Sequence, residues 1–177
     1  AQYGLGQPVY GSGSWFPPGI KPVDLSTAYA EYFTPAFSYM GHAVEVEVDP
    51  ETGKVKVITS VSAEDCGQPI NPLLVDGQNE GGITHMMGQA LYEQSLFDEK
   101  GKPLCSSFRD YRMPLSVDMP KFINNHIITN DPLGPFGAKG AGETSNNTSL
   151  AAISNAIYDA VGVRIRELPI TPEKILK

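Results

Sequence analysis

Gly41-His42-Ala43-Val44-Glu45-Val46-Glu47-Val48-Asp49-Pro50-Glu51-Thr52-Gly53-Lys54-Val55-Lys56-Val57 is the stretch from which the fold can be read. Val44, Val46 and Val48 alternate with Glu45 and Glu47, the two-residue period of a strand with one buried face. Asp49-Pro50-Glu51-Thr52-Gly53 is turn chemistry, after which Val55, Val57 and Val61 resume the alternation with Lys54 and Lys56 interleaved. The expectation is a β-hairpin with opposite charges on its outer face, where cross-strand pairs add a few tenths of a kcal/mol each.

Downstream, Ala63 to Pro72 reads as a loop that ends the strand, and its last two residues, Asn71-Pro72, are a helix entry: a capping side chain followed by a residue whose missing N–H costs nothing there. Ile83, Met86, Met87, Ala90 and Leu91 then recur at helical spacing and predict a buried stripe. The first half of this helix carries Gly77, Gly81 and Gly82, each costing up to about 1 kcal/mol against alanine. Glycines there imply close approach to the backbone, by a crossing helix or by a ligand. Phe122-Ile123 and Ile127-Ile128-Thr129 read as a further strand, and Leu150, Ile153, Ala156, Ile157, Ala160 and Val161 as a second helix ending at Gly162. Val163-Arg164-Ile165-Arg166 alternates as a strand would, and Thr171-Pro172 opens a short terminal helix. The fold class is therefore α+β, an antiparallel or mixed sheet with two main helices over residues 39–177. Residues 1–38, rich in glycine, proline and aromatics including Trp15 and Phe16, are expected to form an irregular segment docked on the domain or on a partner.

Between the last strand and the second helix lies Gly134-Pro135-Phe136-Gly137-Ala138-Lys139-Gly140-Ala141-Gly142-Glu143. A P-loop would need a hydroxyl residue after the lysine, and a dinucleotide fingerprint needs a different glycine spacing; neither fits. What remains is a glycine loop delivering one carboxylate to a helix start, where free N–H groups and the helix dipole favour negative charge. Glu143 is then available as a base. The plainer alternative is a surface turn with Glu143 merely solvated.

The totals narrow the class. A net charge of −7 disfavours nucleic acid or an anionic membrane as partner. No apolar run approaches a membrane span, and no secretory signal is present, so a cytoplasmic location is expected. Cys66 and Cys105 are the only cysteines and form neither a zinc nor an iron–sulfur motif. His42, His85 and His126 lie far apart and show no ligand spacing, so no residue of this chain is expected to bind a metal directly.

Several stretches in order resemble the molybdenum hydroxylases, the xanthine dehydrogenase and aldehyde oxidoreductase family, in the C-terminal part of their molybdopterin-binding large subunit. They are Gly41 to Asp49 with Thr52-Gly53; Asp65-Cys66-Gly67 with Ile70-Asn71-Pro72; Gly77-Gln78-Asn79-Glu80-Gly81-Gly82 with Gly88-Gln89-Ala90-Leu91; Gly137 to Glu143; and Leu168 to Ile175. The resemblance implies a molybdopterin-binding domain of the xanthine dehydrogenase type, and Glu143 as the general base at the molybdenum centre. It implies cofactor contacts at Gln78, Gly140, Ala141 and Gly142. It implies oxidation of an aldehyde or an N-heteroaromatic small molecule with oxygen from water, and a molybdopterin cofactor, commonly its cytosine dinucleotide form. The [2Fe-2S] and FAD centres would sit on an iron–sulfur subunit and an FAD subunit. Many relatives have proline soon after the glutamate, whereas Thr144-Ser145-Asn146 follow here. The family's subunit is also several times longer, so the remaining molybdopterin-binding portion is an expected partner, and this chain alone is expected to supply one wall and no activity. A non-catalytic assembly or cofactor-handling protein that keeps the fold is the alternative.

Overall fold

The computed structural model describes residues 9–177; Gly4, Gly6 and Pro8 of the N-terminal segment lie outside the described residues. The chain divides into two compact units, one up to Pro35 and one from Ala36 to Lys177. In the first, the Lys21 and Asp24 amides donate to the Tyr32 and Tyr29 carbonyls at 2.8 and 2.9 Å, and Lys21 pairs with Glu31. Trp15, Phe16 and Phe33 of this unit are exposed.

The second unit is built on β1 (Tyr39–Val48) and β2 (Val55–Asp65), the expected hairpin, antiparallel and interrupted by a bulge between Glu45 and Val46. Asp49 closes its turn, accepting from the Glu51 amide at 2.9 Å and the Thr52 hydroxyl at 2.8 Å. On the outer face Glu47 stands opposite Lys56, while Glu45 accepts from the Thr59 hydroxyl at 2.8 Å. The third strand, β3 (Lys121–His126), pairs with β2 in parallel, so the sheet is mixed with order β1-β2-β3.

Two helices pack on this sheet and on each other, α1 (Pro72–Leu91) and α2 (Thr144–Val161). Asn71 caps α1, its side chain accepting from the Leu74 amide at 3.2 Å, with Pro72 at the first helical position. Gly162 ends α2 at φ 72°, a left-handed conformation that a Cβ would disfavour. A short α3 (Pro172–Ile175) follows Thr171. The core joins Val57 of β2, Met87, Ala90 and Leu91 of α1, Ile153 and Ile157 of α2, and Ile170 and Ile175 from the C-terminal segment.

Three strand expectations are corrected, the first because β2 runs on to Asp65, paired with β1 to its end and with β3 as far as Glu64, where a loop was expected from Ala63. β3 ends at His126; of the continuation, the Ile127 amide still bonds to the sheet backbone, at 2.7 Å to the Glu64 carbonyl, and the Thr129 hydroxyl to the Asp65 side chain. Val163–Arg166 joins no ladder. Arg164 instead turns back on α2, donating to Asn155 Oδ1 at 2.8 Å and stacking 4.0 Å from the Tyr158 ring centroid. Side-chain contacts hold that segment where a backbone ladder was expected.

Candidate active site

The Gly134–Glu143 loop is pinned to the loop that follows β2. The Gln68 amide donates to the Gly137 carbonyl at 2.7 Å, and the Lys139 amide to the Cys66 carbonyl at 2.8 Å. This approach requires glycine at position 67, where φ is +71° and a Cβ would stand 2.2 Å from the Gly137 oxygen. Below it lies a largely buried ion pair, Lys139 Nζ to Asp65 Oδ2 at 2.8 Å. The other Asp65 oxygen accepts from the Gly67 amide at 2.9 Å and the Thr129 hydroxyl at 2.7 Å. Burial alone would raise the Asp65 pKa; the Lys139 ammonium and these donors outweigh it and hold the carboxyl below its ordinary value. The Ser38 hydroxyl adds a bond to the Gly140 carbonyl.

Facing this loop is the first half of α1. The Gln78 amide donates to the Gly142 carbonyl, one residue before Glu143. Between the two walls opens a cavity of about 440 Å³, lined by Gln68, Ile70, Leu74, Gln78, Lys139 and Ala141 among others. The structure thus brings Gln78, Ala141 and Gly142 together on one cavity, whereas Gly140, bonded to Ser38, and Glu143 are not among the residues that line it. Next to the cavity, Ile70, Leu73 and Leu74 expose most of their side chains.

The glycines of α1 separate into two kinds. Gly82 is a close crossing, since a Cβ there would meet Ser145 Oγ of α2 at 2.0 Å. Gly77 and Gly81, like Gly140 and Gly142, face open space, with nothing within 4 Å of the position a Cβ would take. A flat group laid against exposed backbone, with the Gln78 amide and the apolar lining beside it, fits these walls.

Glu143 takes the N-cap position of α2 at φ −139°, ψ 18°, and its side chain makes no capping bond. The expected hold of the helix start on this carboxylate is therefore missing. A glutamate side chain is one methylene longer than the aspartate that caps well, and here it extends into solvent instead. Its backbone carbonyl accepts from the Asn146 amide at 3.1 Å.

The histidines stand apart from this site's cavity lining. His42 Nε2 is 2.8 Å from the Ser60 hydroxyl, with its pKa lowered by burial, and His126 Nε2 is 3.0 Å from Asp76 Oδ1. Both cysteines are free thiols. Asp65 and Lys139 were not singled out as a pair by sequence reasoning. Asp65 stood inside the Asp-Cys-Gly match and Lys139 inside the glycine loop, but nothing local joins residues 74 positions apart.

Comparison with known proteins agrees with this architecture. A family model described as a molybdopterin cofactor-binding domain matches residues 2–120. The nicotine 6-hydroxylase large subunit of Paenarthrobacter nicotinovorans is 41% identical over 172 residues, 96% of this chain and 21% of that protein. The probable hypoxanthine oxidase XdhD of Escherichia coli K12 is 38% identical over 148 residues, 82% of this chain and 16% of that protein. Among solved structures, the aldehyde oxidoreductase from Desulfovibrio gigas superposes with a TM-score of 0.78 at 34% identity, covering 89% of this chain and 17% of that one. The chain belongs to the molybdopterin cofactor-binding domain family, and it matches a portion of molybdenum hydroxylase large subunits. It spans 21% and 16% of the length of the two curated relatives given above. No helix among the described residues is long and apolar enough to cross a membrane.

Proposed function

We propose that this chain forms one wall of the active site of a molybdenum hydroxylase that oxidises an aldehyde or an N-heteroaromatic substrate, with Glu143 as the general base. The observation that carries the reading is the Gln78–Gly142 hydrogen bond, which joins the glycine loop to the glycine-rich half of α1 immediately before Glu143. When bound, molybdopterin supplies the two-electron redox centre at which the substrate is oxidised with oxygen from water. Gln78, Gly140, Ala141 and Gly142 would hold it: an amide for its polar edge and bare backbone where a side chain would collide. The exposed Glu143 carboxylate, free of capping bonds, accepts a proton at an oxygen atom. Ile70 and Leu74 give the cavity an apolar edge on the α1 side.

Support for the substrate class comes from the relatives, named for nicotine hydroxylation and aldehyde oxidation. The cytosine dinucleotide form of the cofactor, a [2Fe-2S] partner and an FAD partner belong to the same reading, as does a cytoplasmic location. Because the chain spans so small a share of its relatives, the remaining molybdopterin-binding portion is the first partner. Residues 1–38, with Trp15 and Phe16 exposed, are read as an arm laid on another surface.

The test is molybdenum content and composition of the natively purified protein. Molybdenum near one per chain, together with a larger molybdopterin-binding portion and an iron–sulfur chain, supports the reading. A metal-free chain migrating alone, despite molybdenum supply and co-expression with its genomic neighbours, would favour a non-catalytic relative.

A further inference from the structure

Glu64 and Asp65 are consecutive residues at the end of β2, and strand geometry sends their side chains to opposite sides. Each meets a different wall of the cavity. Glu64 is fully buried, and its Oε2 accepts from the Asn79 side-chain amide of α1 at 2.8 Å. Asn79 is itself 1% exposed and directly follows Gln78. Asp65 binds Lys139 at 2.8 Å, four residues before Glu143 in the glycine loop.

We infer that Glu64 and Asp65 act together as a positioning pair that sets the spacing between Gln78 on α1 and Glu143 on the glycine loop. The inference rests on the function proposed above. Stability alone gives poor reason for the Glu64–Asn79 contact. Glu64 Oε1 and Asn79 Oδ1 are buried without a hydrogen-bond partner, and a buried acceptor left unmatched is costly. Other, less buried side chains also tie these segments: Ser38 bonds the Gly140 carbonyl, and His126 and Asn124 of β3 reach Asp76 and Glu80 of α1. The helix beside Gln78 carries Gly77 and Gly81, which offer nothing to pack, and the loop before Glu143 carries Gly140 and Gly142. In two segments so poor in side chains, Asn79 and Lys139 are the buried polar handles. Both are held from one place on one strand.

The experiment compares Lys139→Met, Asp65→Asn, Asn79→Ala and the double variant Asp65→Asn/Lys139→Met in the assembled enzyme. Amide hydrogen exchange over residues 139–143, thermal midpoint, and kcat and KM are read separately. A displaced base lowers kcat about 10- to 100-fold with KM near wild type, because misplacement of the order of 1 Å suffices. Loop amides should exchange faster in Lys139→Met and Asp65→Asn, and Lys139→Arg should restore both exchange and kcat. The double variant leaves neither member of the Asp65–Lys139 pair behind as a buried unpaired charge. Its thermal midpoint should recover while loop exchange stays fast and kcat stays low, which separates positioning from folding. Wild-type loop exchange with kcat within about twofold of wild type in Lys139→Met would overturn the inference. So would kcat returning together with the thermal midpoint in the double variant. Should Glu143→Gln keep full turnover, the functional reading fails, and loop exchange still decides whether the pair positions the loop.

Discussion

Replacing Gly67 with alanine tests how the glycine loop is held. In the folded chain Gly67 has φ +71°, and an added Cβ would lie 2.2 Å from the Gly137 oxygen and 2.9 Å from the Lys139 nitrogen. Both obstacles are backbone, so no rotamer change relieves them. The left-handed conformation costs alanine about 1–2 kcal/mol. Moving the loop away forfeits the Gln68–Gly137 and Lys139–Cys66 backbone bonds, each about 0.5–1.5 kcal/mol. The total is about 2–5 kcal/mol. For a loss of about 3 kcal/mol within this range, the unfolding equilibrium shifts about 150-fold, and the thermal midpoint falls by roughly 6–12 °C for a chain of this size. Urea unfolding followed by circular dichroism measures it, with an unchanged slope marking a change in stability alone. Gly77→Ala is the control, because its Cβ meets nothing within 4 Å. An unshifted urea midpoint for Gly67→Ala, or equal losses in both variants, would refute the reasoning.

The same control makes its own prediction. Gly77→Ala should stabilise the chain by up to about 1 kcal/mol through helix propensity, yet lower molybdenum retention in the assembled enzyme if a ligand lies against that backbone. Both effects are measured on one preparation, by unfolding and by metal analysis. A thiol reagent such as Ellman's should label half-buried Cys105 in the native chain and spare Cys66, which is buried and whose thiol is pushed up by that burial and by Glu64 and Asp65. Rapid labelling of both thiols without denaturant would contradict the packing around Cys66. Acid titration addresses Asp65, whose folded pKa is lowered from the ordinary 3.8. Its contribution is fully present above the unfolded value and is lost as pH falls through the lower folded value. Asp65→Asn should therefore be less stable than wild type near pH 7, with the gap closing below about pH 4. A gap that persists unchanged into strong acid would mean that ionised Asp65 contributes nothing.

Much of the frame was legible in residue pattern because its causes are local. The valine alternation from Val44 to Val48 has a single interpretation, and Asn71-Pro72 and Gly162 mark helix ends by backbone chemistry that tertiary contacts do not override. Val163–Arg166 misled for the opposite reason. Alternation describes a strand only when an edge is available to pair with it, and Arg164 found Asn155 and Tyr158 instead. The glycines of α1 needed coordinates, because Gly82 at a helix crossing and Gly77 in open space look alike in a string of letters. For the proposed site, resemblance to a family is what singles out Gln78 and Glu143 in the sequence. Their joint placement was not legible there, because it depends on Asp65 reaching Lys139 across 74 residues and on Glu64 reaching Asn79 across 15.

Glu143 is the residue on which the proposed chemistry turns. Steady-state turnover of Glu143→Gln in the assembled enzyme, normalised to molybdenum content, isolates the proton-accepting oxygen from cofactor binding. Molybdenum content near that of wild type with turnover reduced by about 10²–10⁴-fold is the predicted result. Turnover within about tenfold of wild type at full molybdenum occupancy would contradict the assignment of Glu143 as the general base.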